Sequence, residues 1–199
     1  MISLRPTLHF RRRHLPHWEV LDGRYFITVR CADSLPRDAV ERLRELNFHL
    51  ASIPAASPQF AAQQRQVFRT LEKYLDARAG ACPLRQPAAI KCLSEEFAAL
   101  AQWDVSVPHY TIMPNHWHAL LVPGKSCTHS LSKIMKRLKG RTGKSLRAAL
   151  GGSGPIWQGE WFDRWVRDES EWTRIVDYIH ANPVKAGLAR SWSEHPGTR

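Results

Sequence analysis

The alternation of apolar and polar positions along the chain predicts four β-strands. The β-branched and aromatic run Arg24–Arg30 predicts the first strand, and a looser alternation over 105–113 predicts the second. A Pro-Asn turn then leads into the apolar run His116–Pro123, which predicts a third strand antiparallel to the second. The segment 161–167 alternates enough to predict a short fourth strand.

Apolar residues at helical spacing predict the helices between these strands. Three helices are expected after the first strand, one beginning at Pro36 and two covering 58–76 and 87–101. The segment 130–150 repeats apolar residues at i, i+3, i+4 and i+7 and predicts a fourth helix. The pattern as a whole therefore indicates a mixed domain of strands and helices.

The segment 168–182 predicts the last helix. Asp168 and Glu171 have the spacing of a capping box at its start. We expect the helix to end at Asn182, because Pro183 disfavours helical backbone at the residue before it.

Two histidines on the third predicted strand flank a tryptophan. Because side chains on a strand alternate between its faces, His116 and His118 point the same way and Trp117 points into the opposite packing. Two imidazoles on one face can bind one metal ion. The same pattern also occurs in two ordinary half-buried histidines, so other parts of the chain have to decide between these readings.

The charge balance indicates a polyanionic partner. The net charge is +11, from 29 Lys and Arg against 18 Asp and Glu. Nucleic acid is favoured over an anionic membrane surface, because no long basic amphipathic helix with an exposed aromatic face is evident. No apolar run approaches the roughly 20 residues of a membrane span, and the basic N-terminus lacks the apolar segment of a secretory signal. The 4 cysteines lack zinc or redox spacing and are predicted to be reduced, structural residues of a cytoplasmic protein.

Basic residues concentrate in two regions. Residues 1–17 predict an arm that either lies along a phosphate backbone or is a solvated tail. The helix 130–150 is basic outside its apolar stripe, and the absence of acids between Gly124 and Gly159 favours phosphate binding over a merely soluble face. Candidate DNA contacts are Arg11, Arg12, Arg13, Lys133, Lys136, Arg137, Lys139, Arg141, Lys144, Arg164, Arg167 and Lys185.

Tyr178 and Asn182 lie one turn apart on the last predicted helix, at the edge of its apolar stripe. A phenol has a pKa of about 10 and is a poor nucleophile at neutral pH. It can attack a phosphodiester when a metal polarises the phosphate. His116 and His118 can supply two metal ligands and the Asn182 carbonyl oxygen a third, which would leave Tyr178 beside the metal.

Two motifs in this order resemble the REP-associated tyrosine transposases of the HUH (His-hydrophobic-His) single-strand endonuclease superfamily. The first motif is MPNHWH at 113–118, and the second is DYIHANPVKAGL at 177–188. Further similarity at Tyr25-Phe26, 32–36, 81–84 and 157–167 extends the resemblance over most of the chain. Either motif alone would be weak, whereas the pair in this order is specific.

The resemblance implies an α+β fold, a ferredoxin-like (RRM-like) antiparallel sheet with helices on one face and extra helices inserted after the first strand. We expect one domain at 18–190, with a helical insertion at about 37–101. A basic N-terminal arm at 1–17 would precede the domain, and a C-terminal tail at 191–199 would follow it.

The resemblance also implies a chemistry. His116, His118 and Asn182 would bind Mg²⁺ or Mn²⁺, and Tyr178 would attack a single-stranded DNA phosphate, forming a 5′-phosphotyrosine and releasing a 3′-OH. The substrate would be a DNA hairpin with a short flanking tag, bound by a monomer or homodimer at the bacterial nucleoid. One alternative is a catalytically silent DNA-hairpin-binding regulator of the same fold. Another is a small-molecule metallohydrolase, which lacks the further His or Asp ligands such sites carry and leaves the charge unexplained.

Overall fold

The chain folds around one antiparallel sheet with helices on both faces. The computed structural model describes residues 7–12, 16–54, 57–151 and 153–199. Its strands are β1 (Thr7–Arg12), β2 (Pro16–Val20), β3 (Arg24–Arg30), β4 (Val105–Ser106), β5 (Tyr110–Met113), β6 (His116–Pro123) and β7 (Phe162–Val166). Its helices are α1 (Arg37–Ser52), α2 (Pro58–Asp76), α3 (Pro87–Ala99), α4 (Leu131–Leu150) and α5 (Glu169–Lys185).

The central sheet has the strand order of a ferredoxin-like fold. Strand β6 pairs antiparallel with β3 on one side and with both β4 and β5 on the other, and β7 pairs with the free side of β3. Taking β3, β5, β6 and β7 as the core strands, their spatial order is 4-1-3-2, with α3 and α4 in the two connections. The expected α+β ferredoxin-like fold is therefore confirmed.

The strand predicted over 105–113 is interrupted. Val105–Ser106 and Tyr110–Met113 are separate strands, and residues 107–109 between them lie outside both. Pro108 has no N–H to give to a ladder, so a break at this point is expected physically. Both short strands still pair with β6, so the predicted antiparallel partnership holds.

Alternation along the central strands sends side chains into two different cores. Tyr25, Ile27 and Trp117 point to the face covered by α3 and α4, where they join the larger core cluster. Phe26 and Leu120 point to the opposite face and pack with apolar side chains of α2, α5 and β7. Burying each large apolar side chain contributes roughly 1.5–3 kcal/mol, so both layers stabilise the sheet. Helices α3 and α4 are therefore the pair expected on one face of the sheet. The opposite face is also covered, by α2 and α5.

The insertion after β3 consists of α1 and α2. These two helices pack against each other and bury a small cluster of their own, which includes Leu46, Leu50, Phe60 and Val67. Helix α2 covers 58–76, as predicted, and Ser57 caps it by accepting a hydrogen bond from the Phe60 N–H. The insertion expected at about 37–101 includes α3. In the structure, α3 is instead the helix that connects the first two core strands, β3 and β5.

Helix α5 ends later than predicted. The predicted helix start is confirmed, because the Asp168 carboxylate accepts from the Glu171 N–H, while the Glu171 carboxylate accepts from the Arg167 N–H. Pro183, however, lies inside the helix, which continues to Lys185. The expected end at Asn182 is therefore wrong.

A glycine, and not the proline, terminates α5. Gly187 has a φ of 63°, and its N–H donates to the Val184 carbonyl while the Leu188 N–H donates to the Pro183 carbonyl. These two bonds form a Schellman motif. The proline is tolerated in the last turn because only one intrahelical bond is lost there.

The two chain ends are more structured than an arm and a tail. Strands β1 and β2 form an antiparallel hairpin, and His17 of β2 is buried against Asp163 of β7. The description of 1–17 as an unpacked arm is therefore wrong for the residues that the structure describes. At the other end, the backbone of Arg199 exchanges two hydrogen bonds with Tyr110 of β5.

Two further expectations concern cysteines and membranes. All four cysteines are free, and Cys31 and Cys82 are buried, in agreement with the predicted structural role. No helix in the described part of the chain is both long enough and apolar enough to cross a membrane.

Candidate active site

The two histidines of β6 face each other on the side of the sheet covered by α2 and α5. Their Nε2 atoms are 3.1 Å apart, and both side chains are buried. Trp117 between them points the other way, against Phe97 of α3 at a ring-centroid distance of 5.1 Å. The predicted alternation along this strand is therefore confirmed.

Neighbouring side chains fix the orientation of each imidazole. Asn115 Oδ1 lies 2.8 Å from His116 Nδ1, and Thr28 Oγ1 lies 2.8 Å from His118 Nδ1. The Asn115 amide nitrogen donates to two backbone carbonyls, those of Leu75 and Ala79, which sets which way the amide points. Its oxygen can only accept, so His116 Nδ1 carries the proton and His116 Nε2 keeps its lone pair. This arrangement is the one in which a histidine is held ready to bind a cation.

A carboxylate from the inserted helix completes the group. Glu72 of α2 brings Oε2 to 3.5 Å from His118 Nε2, and its side chain is only 12 % exposed. One ligand atom each from Glu72, His116 and His118 lie within 4.8 Å of one another. The sequence pattern did not identify Glu72 as a candidate metal ligand. The apolar periodicity of α2 predicts a packed side but does not show which face of the sheet that side covers.

Burial sets the protonation of this group. Burial, together with a smaller effect of the neighbouring His118, lowers the pKa of His116 to about 3. Burial likewise lowers the pKa of His118 to about 3, and it raises the pKa of Glu72 to about 7. Both imidazoles are therefore uncharged at neutral pH, so the close approach of Glu72 to His118 is not an ion pair there.

The group fits a divalent cation. Two neutral imidazole nitrogens and one carboxylate are ordinary ligands for such an ion. Glu72 Oε1 is buried without a hydrogen-bond partner, which a bound cation would supply. A cation would also favour the ionised carboxylate over the protonated form that burial promotes.

Tyr178 of α5 lies directly beside the histidines. Its hydroxyl is 3.4 Å from His118 Nε2. Phe26 and Phe68 pack edge-on against its ring, at centroid distances of 5.8 and 5.7 Å. The phenol is thus held by aromatic contacts with its oxygen aimed at the candidate metal group. The structure therefore brings together His116, His118 and Tyr178, as expected from the sequence.

Asn182 is placed one turn further along α5. It is buried, and its amide nitrogen donates to the Tyr178 backbone carbonyl at 3.0 Å. Within the described residues it makes no hydrogen bond to either histidine. Its role as a metal ligand stays a prediction, and Glu72 is the third group that the geometry provides.

The basic residues of α4 lie away from this site. Helix α4 packs with α3 on the face of the sheet opposite the histidines. Several of its cations already have partners: Arg141 pairs with Glu96, Arg137 lies 4.4 Å over the Trp103 ring, and Lys139 donates to two backbone carbonyls. Lys133 also approaches Trp103, whereas Lys136 and Lys144 are exposed.

The remaining candidate DNA contacts lie on or next to β7, at the end of α5 and in the N-terminal segment. Arg164 of β7 lines the same cleft as Tyr178, and it pairs with Glu171. Arg167 lies 6.0 Å over the Trp165 ring, and Lys185 lies at the end of α5, where its charge acts on Asp76. Arg11 and Arg12 belong to β1, but their side chains, like the whole of Arg13, lie outside the described residues.

The comparisons with known proteins concern the family and the fold. The family model described as "Transposase IS200 like" matches residues 90–182. The structure of a REP-associated tyrosine transposase bound to a REP hairpin is similar with a TM-score of 0.51 and 17 % identity, over 96 % of this chain and 81 % of that one. That identity supports a shared fold alone.

A second solved structure, a putative transposase from Deinococcus radiodurans R1, covers 85 % of this chain and 94 % of its own at 14 % identity. Its TM-score of 0.37 is too low to support an argument. The search of curated proteins finds no match. Residues 90–182 are therefore similar to the IS200-like transposase family, and the chain shares the fold of a REP-associated tyrosine transposase.

Proposed function

We propose that this protein is a metal-dependent single-strand DNA endonuclease and strand transferase with Tyr178 as its nucleophile. The observation that carries the proposal is the 3.4 Å approach of the Tyr178 hydroxyl to His118 Nε2. It puts a phenol oxygen next to one member of a group of two imidazoles and a carboxylate, and such a group could hold the cation that assists attack on a phosphodiester.

The chain's own residues have separate tasks in this chemistry. His116, His118 and Glu72 would hold Mg²⁺ or Mn²⁺, with the Asn182 oxygen as a further candidate ligand. When bound, the cation would polarise the phosphoryl oxygens and make phosphorus more electrophilic. Phe26 and Phe68 restrict the Tyr178 ring and so reduce the entropy lost on reaching an attacking geometry.

The reaction exchanges one phosphodiester for another. The Tyr178 oxygen forms a bond to phosphorus while the bond from phosphorus to the 3′ oxygen breaks. The phenol loses one proton and the departing 3′ oxygen gains one, so the products are a 5′-phosphotyrosine and a 3′-OH. Because the phosphotyrosine keeps a phosphodiester bond, attack by a 3′-OH can rejoin the same strand or join another without ATP.

The substrate proposed is a DNA hairpin with a short single-stranded flank. The net charge of +11 supports a nucleic-acid partner, and a similar structure was solved with a REP hairpin bound. The protein would act as a monomer or homodimer on chromosomal DNA in the bacterial cytoplasm.

A covalent-adduct assay tests the proposal. The protein is incubated with Mn²⁺ and a hairpin labelled on the 3′ side of the cleaved phosphate, and the products are run on a denaturing gel. We expect a labelled protein band that Tyr178→Phe abolishes while hairpin binding remains. An adduct formed by Tyr178→Phe would overturn the assignment of the nucleophile. Tight hairpin binding without any adduct from the unmodified protein would favour the silent DNA-binding regulator instead.

Removal of the metal or its ligands gives a second test. We expect a chelator or His118→Ala to abolish the adduct, because His118 contacts the nucleophile and belongs to the candidate metal group. Full activity in the presence of a chelator would contradict a metal-dependent reaction.

A further inference from the structure

The inserted helix α2 carries a row of cations on its exposed side. Arg65, Arg69 and Lys73, here called the α2 basic row, are spaced at i, i+4 and i+8 and are all exposed. Residues at this spacing lie on one side of a helix, about 6 Å apart along its axis. That separation is comparable with the distance between successive phosphates of an extended single strand.

The α2 basic row borders the candidate active site. A cleft of about 710 Å³ is lined by all three of its members together with Tyr178, Glu72 and Arg164. An adjoining cleft of about 780 Å³ continues along the same three cations towards Arg42 of α1. A basic path therefore leads from the outer side of the insertion to the nucleophile.

The row also differs from the α4 cations in its partners. Within the described part of the chain, no ion pair involves Arg65, Arg69 or Lys73, whereas Arg141 of α4 is paired with Glu96. A cation without an acidic partner gives up no existing ion pair when it binds a phosphate. Helix α4 also covers the opposite face of the sheet, so its cations cannot line the cleft of Tyr178.

We propose that the α2 basic row binds the phosphates of the single-stranded DNA flank and guides that strand to Tyr178. The inference rests on the proposed function and adds which surface holds the strand. The inserted helix α2 then has two roles: Glu72 approaches the histidines, and the α2 basic row contacts the bound strand.

Binding measurements on a non-cleaving background test the inference. Tyr178→Phe protein is titrated by fluorescence anisotropy with a labelled hairpin that carries a single-stranded flank, and with the same hairpin lacking the flank. The row variant carries Arg65→Gln, Arg69→Gln and Lys73→Gln. The matched control carries Arg85→Gln, Lys91→Gln and Arg190→Gln, which removes the same charges from exposed positions outside both clefts and outside α4.

The row variant should lose affinity for the flanked hairpin by about tenfold or more at 0.15 M salt. The slope of log affinity against log salt should fall by about 2, since single strands contribute about 0.7 per phosphate contact. Its affinity for the hairpin without a flank should change less than twofold, and the control should change less than twofold with both probes. Arg69→Gln alone should give an intermediate loss.

Equal losses with both probes, or a control that loses as much as the row variant, would overturn the inference. So would a row variant that binds the flanked hairpin like its parent. No step of this test requires cleavage. If Tyr178 fails to form an adduct, the proposed function is refuted, but the binding comparison still tests whether the α2 basic row holds the single-stranded flank.

Discussion

The Tyr178 hydroxyl lies 3.4 Å from His118 Nε2, although the two residues belong to different elements on opposite sides of a packing interface. His118 is held by Thr28 of the neighbouring strand, and Tyr178 is held by Phe26 and Phe68. The nucleophile and the candidate metal group are therefore positioned by the same apolar layer. A change in the docking of α5 on the sheet would separate them.

The identity of the third metal ligand can be decided by calorimetry. We expect Glu72→Gln to weaken Mn²⁺ binding by about tenfold or more, because it removes the carboxylate that forms a group with the two imidazoles. Asn182→Ala should weaken it less, since its amide is engaged with the backbone of α5. Isothermal titration with Mn²⁺ measures both, and the reverse ranking would make Asn182 the third ligand.

The hydroxyl of Thr28 should matter for metal binding although it is not a ligand. Thr28→Val keeps the shape of the side chain but removes the partner of His118 Nδ1. Loss of such an orienting hydrogen bond costs about 10–100-fold in metal affinity. Thr28→Ser keeps the hydroxyl and is the control, which should stay close to the parent in the same Mn²⁺ titration. Equal affinities for Thr28→Val and Thr28→Ser would show that the hydrogen bond does not orient the ligand.

The docking of the N-terminal hairpin should depend on pH. Burial alone would lower the pKa of His17, but its hydrogen bonds and charge interactions with Asp163 and Glu160 outweigh this, and the pKa is raised above 6.5. A raised pKa means that the stabilisation is fully present below the unfolded value of about 6.5 and is lost as the pH rises through the folded value.

Denaturant unfolding of His17→Gln tests this dependence. We expect it to destabilise the protein by on the order of 3 kcal/mol at pH 6, because buried Asp163 loses its charged partner. The difference from the parent should become smaller as the pH rises above 6.5, because the protonated form of His17 is lost as the pH passes through its raised folded pKa. A difference that grows with pH would contradict the assignment of a protonated His17.

Two glycine substitutions should have opposite effects on stability. Neither Gly187 nor Gly140 has a heavy atom within 4 Å of the position that a Cβ would take. Gly187 has a φ of 63°, so Gly187→Ala should destabilise by about 1–2 kcal/mol through backbone strain. Gly140 lies inside α4, so Gly140→Ala should stabilise by roughly 0.8–1 kcal/mol through helix propensity. Thermal unfolding measures both, and a neutral Gly187→Ala would mean that the Schellman motif does not fix the end of α5.

Local sequence patterns were sufficient for most of the individual elements. The period of two in β6 predicted that His116 and His118 share a face, and the helical period around Tyr178 predicted that it lies near Asn182 at the edge of the apolar stripe. These inferences succeed because strand and helix geometry depend on backbone sterics that act over a few residues. The predicted end of α5 at Asn182 is wrong because Pro183 does not stop the helix, whereas Gly187 in the following Ala-Gly-Leu sequence adopts the positive φ of a Schellman motif.

The third member of the candidate metal group required the tertiary structure. The apolar stripe of α2 predicts a helix and one packed side, but it does not say which face of which sheet that side covers. Glu72 reaches the histidines only because α2 packs on the face of β3 and β6 that carries them. The same docking turns Arg65, Arg69 and Lys73 towards Tyr178 and leaves the more basic α4 on the far side.

Short stretches of the chain are thus enough to identify its elements, the paired histidines, the tyrosine and the family resemblance. Contacts between distant elements follow only from the docking of those elements, as in the pairs Glu72 with His118, Thr28 with His118, and His17 with Asp163. Periodicity in the sequence shows which side of an element is apolar. It does not show which face of the sheet that side packs against, because this depends on how the helices and the chain ends dock on the sheet.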